Sequence, residues 1–354
     1  MKVFITGTGN ISPQKTWEAG NFLNEIIRYH GNRLTCVEPD YEKFIDPRLL
    51  RRMSRIIRMS WIAAKLCLSD SGIEVPDAII TGTGMGCLDD TERFLLSIYE
   101  NDERFLSPTP FIQSTHNAIG SHIALMLQCT NYNMTFTQRG IAFENALSDA
   151  ISLLDCHNYK HILTGGFDEM TDNQIELYSR LQYYKTGITD NLELLDQRNS
   201  GTIAGEGNAY FMLSSEKSDH CYASIVDIDT FNYPKDNEFI LQRIKLFLEK
   251  NSYATSGIDL YLVGLNGDII LDTVYYESIH RLFNDTPVGY FKHLCGEYHT
   301  ASAFALWLAS HMLKVQQIPE VIQVNRKTIK SIKNILIYNH YQNTNHSLIL
   351  LTSC

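Results

Sequence analysis

The sequence lacks the cysteine patterns of metal-binding and disulfide-stabilised proteins. Its 354 residues include eight cysteines, but none forms a CxxC pair or a His/Cys cluster at metal-ligand spacing. Most of them lie in apolar runs such as AAKLCLSD, which is typical of buried free thiols. We therefore expect reduced cysteines, a cytoplasmic protein and no bound metal.

The chain also lacks a long apolar segment and an excess of basic residues. No window approaches eighteen uninterrupted apolar residues, so we predict no membrane span. The first residues, MKVFITGTGNISP, predict a strand and a glycine-rich turn rather than a signal peptide. The net charge of -10 argues against nucleic acid as the main partner, because phosphate binding needs a concentrated basic face.

One local exception to the acidic balance is a basic cluster on a predicted helix, residues 51–72. The cluster consists of Arg51, Arg52, Arg55, Arg58 and Lys65. Such runs are usually solvated helix faces, but this one is also suited to an acidic carrier protein. Both interpretations remain open on the sequence alone.

Apolar strand-like runs alternate with amphipathic helical runs along the whole chain, which predicts a layered α/β protein. After Lys217 the pattern starts again with YASIVDIDTF, as if one α/β unit were used twice. We predict an N-terminal half, residues 1–217, and a C-terminal half, residues 218–354. Helices are predicted at 51–72, 116–127, 143–156, around 236–250 and at 300–313.

Three glycine-rich or acidic motifs have structural interpretations. TGTGMG has neither the Lys-Ser/Thr of a phosphate loop nor the GxGxxG of a dinucleotide fold, so we predict a backbone turn and no cofactor. In AGEGNAY, we expect Glu206 to bond buried backbone. GGFDEM is rich in carboxylates, and we assign it a structural role.

Six motifs together resemble those of the β-ketoacyl synthases, which have the thiolase fold. They are FITGTGNISP, RRMSR, ITGTGMG, SPTPFIQSTHNAIGSHIAL, GGFDEM and RNSGTIAGEGNAYFML at 198–213. The resemblance covers nearly the whole chain. It implies a thiolase-like α/β fold, with duplicated α/β halves in stacked helix and sheet layers, and a dimer.

The resemblance also implies a chemistry. The family joins an acyl group held on a cysteine to a malonyl group held on acyl carrier protein. That reaction needs a thiolate at a helix N-terminus, two histidines and an oxyanion hole of backbone amides. Each of these parts has a corresponding position in this chain.

The cysteine position falls in TFTQRGIAFENALSDA, residues 135–150, which predicts a strand, a sharp turn and a helix. Counting without gaps from His122 puts that position at Gly140, and a two-residue slip puts it at Gln138. Neither residue forms a thioester. No cysteine occurs between Cys129 and Cys156, so no sulfur replaces it.

Neither family histidine is in its place. The stretch that corresponds to the first histidine motif is LNGDIILD at 265–272, with Asn266 as the candidate site residue. The second motif corresponds to KHLCGEYHTASAFAL, which keeps Lys292 but has Glu297 at the histidine position. His299 lies two residues further on and is a possible substitute.

The family's C-terminal oxyanion-hole motif, GFGGTN, corresponds to HYQNTN at 340–345. Tyr341 keeps the aromatic position, but the flexible glycines are missing. Four catalytic elements are thus absent while the scaffold motifs persist.

This combination resembles the chain length factors, non-catalytic members that pair with an active ketosynthase and shape its acyl tunnel. The TQRG turn is similar to that of partners in bacterial aryl polyene and dialkylresorcinol (flexirubin-type) pigment clusters. The expected partners are a ketosynthase subunit, with which this chain forms a heterodimer, and an acyl carrier protein. Without the ketosynthase, the chain is expected to form a homodimer. The alternative is an active β-ketoacyl-ACP synthase, or a malonyl-ACP decarboxylase that uses Gln138, with relocated catalytic residues.

The charge of Arg139, next to the predicted cysteine position, needs a partner. At a helix N-terminus its charge opposes the macrodipole by about 0.3 to 1 kcal/mol. We hypothesise that Glu297 or Glu144 neutralises it and plugs the site with an ion pair. Otherwise Arg139 extends to solvent or to a partner subunit.

Overall fold

The structure is a computed structural model whose strands and helices alternate along the chain. It describes residues 2–18, 20, 22–156, 159–187, 190–197, 199–325, 327 and 331–354. Arg198, the first residue of one motif named above, lies outside these ranges. The strands are β1 (Val3–Ile11), β2 (Arg33–Leu34), β3 (Ala78–Gly82), β4 (Tyr132–Phe136), β5 (His161–Asp168), β6 (Ala204–Gly205), β7 (Gly207–Ser214), β8 (Ala223–Asn232), β9 (Leu260–Val263), β10 (Val288–Tyr290), β11 (Asn334–Tyr341) and β12 (Asn345–Thr352).

The helices include every helix predicted from the sequence, with shifted ends. They are α1 (Pro47–Leu50), α2 (Arg55–Ser71), α3 (Leu88–Glu100), α4 (Pro108–Gln113), α5 (Ala118–Leu127), α6 (Ala142–Asp155), α7 (Asp172–Arg180), α8 (Asn237–Lys250), α9 (Thr273–Leu282), α10 (Lys292–Cys295) and α11 (Ala301–Val315). The predicted glycine stop of α2 is confirmed, because Gly72 takes a left-handed φ of 71° directly after the helix.

The sheet shows the duplication directly. Ten strands form it in the order β10-β9-β11-β12-β8-β1-β7-β5-β3-β4. Each half contributes five strands to this sheet, β1, β3, β4, β5 and β7 from the first and β8–β12 from the second. Counted along the chain among these five, both halves place their first, fifth, fourth, second and third strand in turn from the centre outward. The prediction of duplicated α/β halves is therefore confirmed. The boundary at 217/218 stays a prediction, within the segment that joins β7 to β8.

The two halves meet at the centre of the sheet and in a central helix layer. Val3–Ile5 of β1 pair antiparallel with Ala223–Ile225 of β8. Helices α6 and α11 each follow the third sheet strand of their half, and they pack against each other. Nearly all of α11 is buried, as expected for a helix that is apolar around its circumference. This central layer carries the N-terminus of α6, where the family places its nucleophile.

A glycine in the first motif allows β1 to approach α2. A Cβ atom built on Gly9 would lie 2.0 Å from the carbonyl oxygen of Ala63. No other residue fits there without a shift of the backbone. The GTG of FITGTG is thus a packing requirement.

The predicted basic helix face is wrong in its extent. Helix α2 begins at Arg55, and Arg51 and Arg52 precede it in a turn. Arg55 points inward and donates from Nη1 and Nη2 to Glu206 at 2.8 and 2.6 Å. Its Nε donates to Glu38 at 2.6 Å. Because these carboxylates occupy the Arg55 guanidinium, that residue is not available to an acidic carrier protein.

The structural role predicted for Glu206 is confirmed. Its carboxylate accepts from the backbone N–H of Cys36 at 2.8 Å and of Met170 at 3.1 Å, in addition to Arg55. One buried carboxylate therefore joins the segment after β2, the segment after β5 and helix α2. A tight GEG turn is needed to place it.

The expectation of free thiols is wrong for two cysteines. Cys221 and Cys354 form a disulfide, with their Cα atoms 6.2 Å apart. The sequence did not predict this pair, because the residues are 133 positions apart and the fold brings them together. The other six are free, and all except Cys156 are buried.

No helix within the described ranges combines the length and apolar character needed to cross a bilayer.

We expect Glu206→Gln to lower the free energy of unfolding by about 2 to 3 kcal/mol, because it leaves the partly buried Arg55 opposite a neutral amide. Urea denaturation followed by circular dichroism measures the change. The control is Glu176→Gln, which removes the carboxylate of an exposed pair with Arg180. There we expect less than about 0.5 kcal/mol. Equal urea midpoints for the two variants would contradict this role of Glu206.

Candidate active site

A cavity of about 550 Å³ lies at the turn between β4 and α6. Two tyrosines from the segment around α7 and a turn between β11 and β12 complete its wall. The lining residues are Thr137, Gln138, Arg139, Tyr178, Leu181, Tyr183, Tyr233, His299, Tyr341, Gln342, Thr344 and Asn345. The cavity therefore lies where the resemblance implies the acyl-binding site.

The turn into α6 has a strained residue, and that residue is Arg139. Its φ is +50°, a left-handed conformation that costs a non-glycine residue about 1 kcal/mol or more. Gly140 is buried next to it, and a Cβ there would lie only 2.3 Å from Cβ of Tyr341. Gly140 thus has no room for a side chain, while Gln138 and Arg139 both line the cavity.

His299 and Tyr341 form one wall of the cavity. Their rings stack with centroids 4.2 Å apart. His299 is only 4% exposed, and burial lowers its pKa, although the nearby charge of Asp168 opposes that shift. The imidazole is therefore neutral at pH 7. Burial likewise raises the pKa of Tyr341 well above its usual value, so its phenol stays protonated.

Asp168, from GGFDEM, organises the loops behind this wall. Its Oδ1 accepts from Oγ1 of Thr83 at 2.9 Å and from the backbone N–H of Gly84 at 2.9 Å and of Met85 at 3.1 Å. Its Oδ2 accepts from the N–H and the hydroxyl of Thr300 at 3.0 and 2.8 Å. The carboxylate thereby ties the TGTGMG turn to the start of α11.

The TGTGMG turn contacts His299 through a glycine. A Cβ on Gly84 would lie 2.2 Å from Cγ of His299. Only glycine permits this close approach, so Gly84 of the motif positions His299.

The loop between β11 and β12 keeps a glycine-like backbone without glycine. Gln342 and Asn343 have φ values of 52° and 51°. These conformations are the ones that glycine adopts without strain. The turn geometry therefore persists, and Gln342 now contributes a side chain to the cavity wall.

A second, closed cluster contains three of the predicted site residues. Nζ of Lys292 donates to Oε1 and Oε2 of Glu297 at 2.9 and 2.7 Å, with side chains 0% and 2% exposed. Nδ2 of Asn266 donates to Oε2 of Glu297 at 2.8 Å. The remaining contact of Lys292 is to the carbonyl oxygen of His340 at 3.0 Å. Both charges are thus satisfied within the protein.

The loop that carries Asn266 is held by a neighbouring carboxylate. Asp272 accepts from the backbone N–H of Asn266 at 2.9 Å and of Gly267 at 2.8 Å. Burial raises the pKa of Asp272 to about 7, although these two bonds oppose the shift. The LNGDIILD segment is therefore a rigid loop around Asn266.

The structure separates the eight predicted site residues into two groups. Gln138, Arg139, His299 and Tyr341 line the cavity, with Gly140 packed directly behind Tyr341. The other three, Asn266, Lys292 and Glu297, form the closed cluster and do not line the cavity.

The hypothesis of an ion pair that plugs the site is wrong. Among the described residues Arg139 forms no ion pair, and its side chain is exposed at the cavity. Glu297 is engaged by Lys292 instead. Glu144 is fully buried and accepts from the hydroxyl of Ser347 at 2.7 Å. Both carboxylates have nearer partners, so the arginine stays open to the cavity.

The sequence did not identify the cavity's other aromatic residues, Tyr178, Tyr183 and Tyr233. They lie in segments without a motif. The tyrosine content of ELYSRLQYYKTG is the only signal for Tyr178 and Tyr183, and the sequence gives none for Tyr233. In the parts of the chain that the structure describes, no group of three His, Cys, Asp or Glu side chains is placed to hold a metal ion.

Comparison with known proteins identifies the family. The sequence model described as "Beta-ketoacyl synthase, N-terminal domain" matches residues 11–219. The chain belongs to the β-ketoacyl synthase family. No curated protein matches the sequence.

Solved structures of ketosynthases share the fold. The ishigamide ketosynthase/chain length factor superposes with a TM-score of 0.85 at 17% identity, covering 100% of this chain and 99% of that one. A β-ketoacyl synthase from Burkholderia phymatum STM815 gives 0.80 at 14% identity, with 100% and 99% covered. The ketosynthase ApeO in complex with its chain length factor ApeC, from Xenorhabdus doucetiae, gives 0.76 at 14%, with 100% and 98% covered.

We expect Glu297→Gln to destabilise the protein by about 3 to 5 kcal/mol, because it leaves the fully buried ammonium of Lys292 without a countercharge. The double variant Lys292→Met, Glu297→Leu removes both charges and should lose less stability than the single variant. Urea denaturation of both, with Glu277→Gln as an exposed control, measures the order. A double variant less stable than Glu297→Gln would show that the ion pair stabilises the fold beyond charge compensation.

Proposed function

We propose that this chain is a non-catalytic, chain length factor-like subunit. It pairs with an active β-ketoacyl-ACP synthase and shapes the acyl tunnel in fatty acid or polyketide-type pigment biosynthesis. Its acyl substrates arrive on an acyl carrier protein. The family and fold are those of the condensing enzymes, but the residues of the site differ from what the condensation needs.

The observation that carries the proposal is the Lys292–Glu297 pair. The condensing reaction needs a histidine at position 297 that assists loss of CO₂ from a malonyl group. Here that position holds a carboxylate, which would repel a malonyl carboxylate if it were free. The Glu297 carboxylate instead pairs with Lys292 and accepts a hydrogen bond from Asn266 in a closed cluster. Its geometry is that of a structural pair and leaves no group for proton transfer.

The nucleophile position supports the same conclusion. Decarboxylative condensation requires a thiolate that carries the acyl group. None of the described residues that line the cavity is a cysteine, and the strained turn presents a guanidinium, which is not a nucleophile at neutral pH. The nearest cysteines in sequence, Cys129 and Cys156, lie before β4 and after α6.

An open sheet edge supports the pairing. Strand β4 is the last strand of the sheet, so its outer backbone groups have no strand partner among the described residues. Next to it, α5 and β4 line a mainly apolar depression of about 730 Å³ with Leu125 and Met134 exposed. Eight large apolar side chains between residues 95 and 134 are exposed in the single chain. An unpaired edge beside apolar surface is typical of a protein interface.

One observation favours the alternative of a malonyl-ACP decarboxylase. His299 is neutral and lines the same cavity as Gln138, so an imidazole is available near the acyl site. The condensation alternative still lacks a nucleophile. The following assay separates these functions.

We expect the purified chain to release no CO₂ from malonyl-acyl carrier protein and to form no acyl adduct. Radiolabelled malonyl-carrier measures the release, and intact-protein mass spectrometry measures the adduct. The positive control is a β-ketoacyl-ACP synthase that has the cysteine and both histidines. Turnover by this chain alone, abolished in His299→Asn, would assign it the decarboxylase function instead.

We expect Met134→Lys to reduce co-purification with the proposed ketosynthase partner at least tenfold, because it places a charge on the exposed face of β4, within the proposed interface. The matched control is Leu246→Lys, an exposed leucine on α8 that is 59% accessible. It should leave co-purification unchanged. An unaffected complex with Met134→Lys, or an equal loss with Leu246→Lys, would remove β4 from the interface.

A further inference from the structure

The charges around the cavity are unusually one-sided for this protein. Among the described residues, Arg139 is the one lining residue with a full charge, and no described Asp or Glu lines the cavity. The whole chain has 40 acidic and 30 basic residues, so acidic side chains are the more abundant type. The only full charge in the described lining is therefore positive, although the protein as a whole is acidic.

The environment of Arg139 also favours a bound anion. It lies in a strained left-handed turn, and it has no ion pair among the described residues although its charge opposes the dipole of α6. The carboxylates that were candidates for its neutralisation, Glu297 and Glu144, are bound elsewhere. An anion from outside the chain would relieve this unfavourable charge.

His299 provides a second, independent sign of a ligand. It is 4% exposed and lines the cavity, yet it makes no hydrogen bond with any described residue. Its contacts are the stacked ring of Tyr341 and the packing against Gly84. A buried polar side chain is normally hydrogen-bonded, so this one is available to a bound group.

The size of the cavity limits the ligand. A volume of about 550 Å³ is within the range of sites for small organic molecules and far exceeds a simple ion. The tyrosines Tyr178, Tyr183 and Tyr233 offer flat apolar faces with hydroxyl tips. The lining thus suits a molecule with an anionic end and an apolar body.

We propose that this cavity binds an oxyanion-terminated organic molecule, a carboxylate or a phosphate, reversibly and without a covalent bond. The guanidinium of Arg139 holds the oxyanion, and His299 donates a further hydrogen bond. The inference builds on the proposed function, since it gives the non-catalytic site a ligand class. No bond is formed or broken.

Isothermal titration of the full-length chain with hexanoate, hexanamide and inorganic phosphate tests the proposal. Hexanoate and hexanamide have the same body, but only hexanoate is charged. We expect hexanoate or phosphate to bind and hexanamide to bind at least about tenfold more weakly, as loss of a charge-assisted hydrogen bond predicts. Binding of hexanoate assigns a carboxylate, and binding of phosphate assigns a phosphate-bearing ligand.

Variants of Arg139 locate the binding. We expect Arg139→Gln to weaken binding at least about tenfold, and Arg139→Lys to weaken it less, because lysine keeps the charge without the bidentate fork. The control is Arg104→Gln, since Arg104 is exposed and does not line the cavity. His299→Asn should weaken binding to an intermediate degree. Circular dichroism shows that each variant is folded.

The inference is overturned if neither anion binds, if hexanamide binds as tightly as hexanoate, or if Arg139→Gln binds like the unaltered chain. The same preparation is assayed for CO₂ release from a malonyl thioester, so the two proposals fail separately. Release of CO₂ together with Arg139-dependent binding would refute the non-catalytic function and keep the anion site. The absence of both would refute only the anion site.

Discussion

The centre of this molecule depends on one fully buried ion pair, between Lys292 and Glu297. An ammonium group that is 0% exposed needs a carboxylate close by, since an unpaired charge there would cost several kcal/mol. Glu297 meets that need, at the position where the sequence resemblance implies a histidine. Its two oxygens accept hydrogen bonds from Lys292 and Asn266, so this carboxylate stabilises the fold.

Two other buried carboxylates explain how the scaffold motifs organise the fold. Asp168 and Glu206 each bind backbone N–H groups from distant segments. Removing either carboxylate would leave backbone N–H groups in several loops without hydrogen-bond acceptors, whatever the function of the protein. The motifs that recur are therefore those that organise backbone.

The cavity contrasts with the closed cluster. In the cluster, every charge is compensated inside the protein. In the cavity, Arg139 and His299 have groups that the described residues leave without hydrogen-bond or ionic partners. The open volume of the cavity and the positive charge in its lining support the proposed binding of a partner or ligand there.

The sequence by itself determined the class of fold and the positions of five helices, because these depend on local patterns, but it did not predict α3, α7 or α9. It predicted a helix around 236–250, and α8 spans Asn237–Lys250. It also predicted that Gly72 ends a helix and that Glu206 bonds backbone. Only the tertiary structure decided which side chains meet. Glu297 was expected beside Arg139 but forms an ion pair with Lys292. Arg55 points inward and binds Glu206. Cys221 and Cys354 form a disulfide although they are 133 residues apart in the sequence. Partner choice in a buried site depends on distances between segments far apart in the chain, and no local pattern encodes those distances.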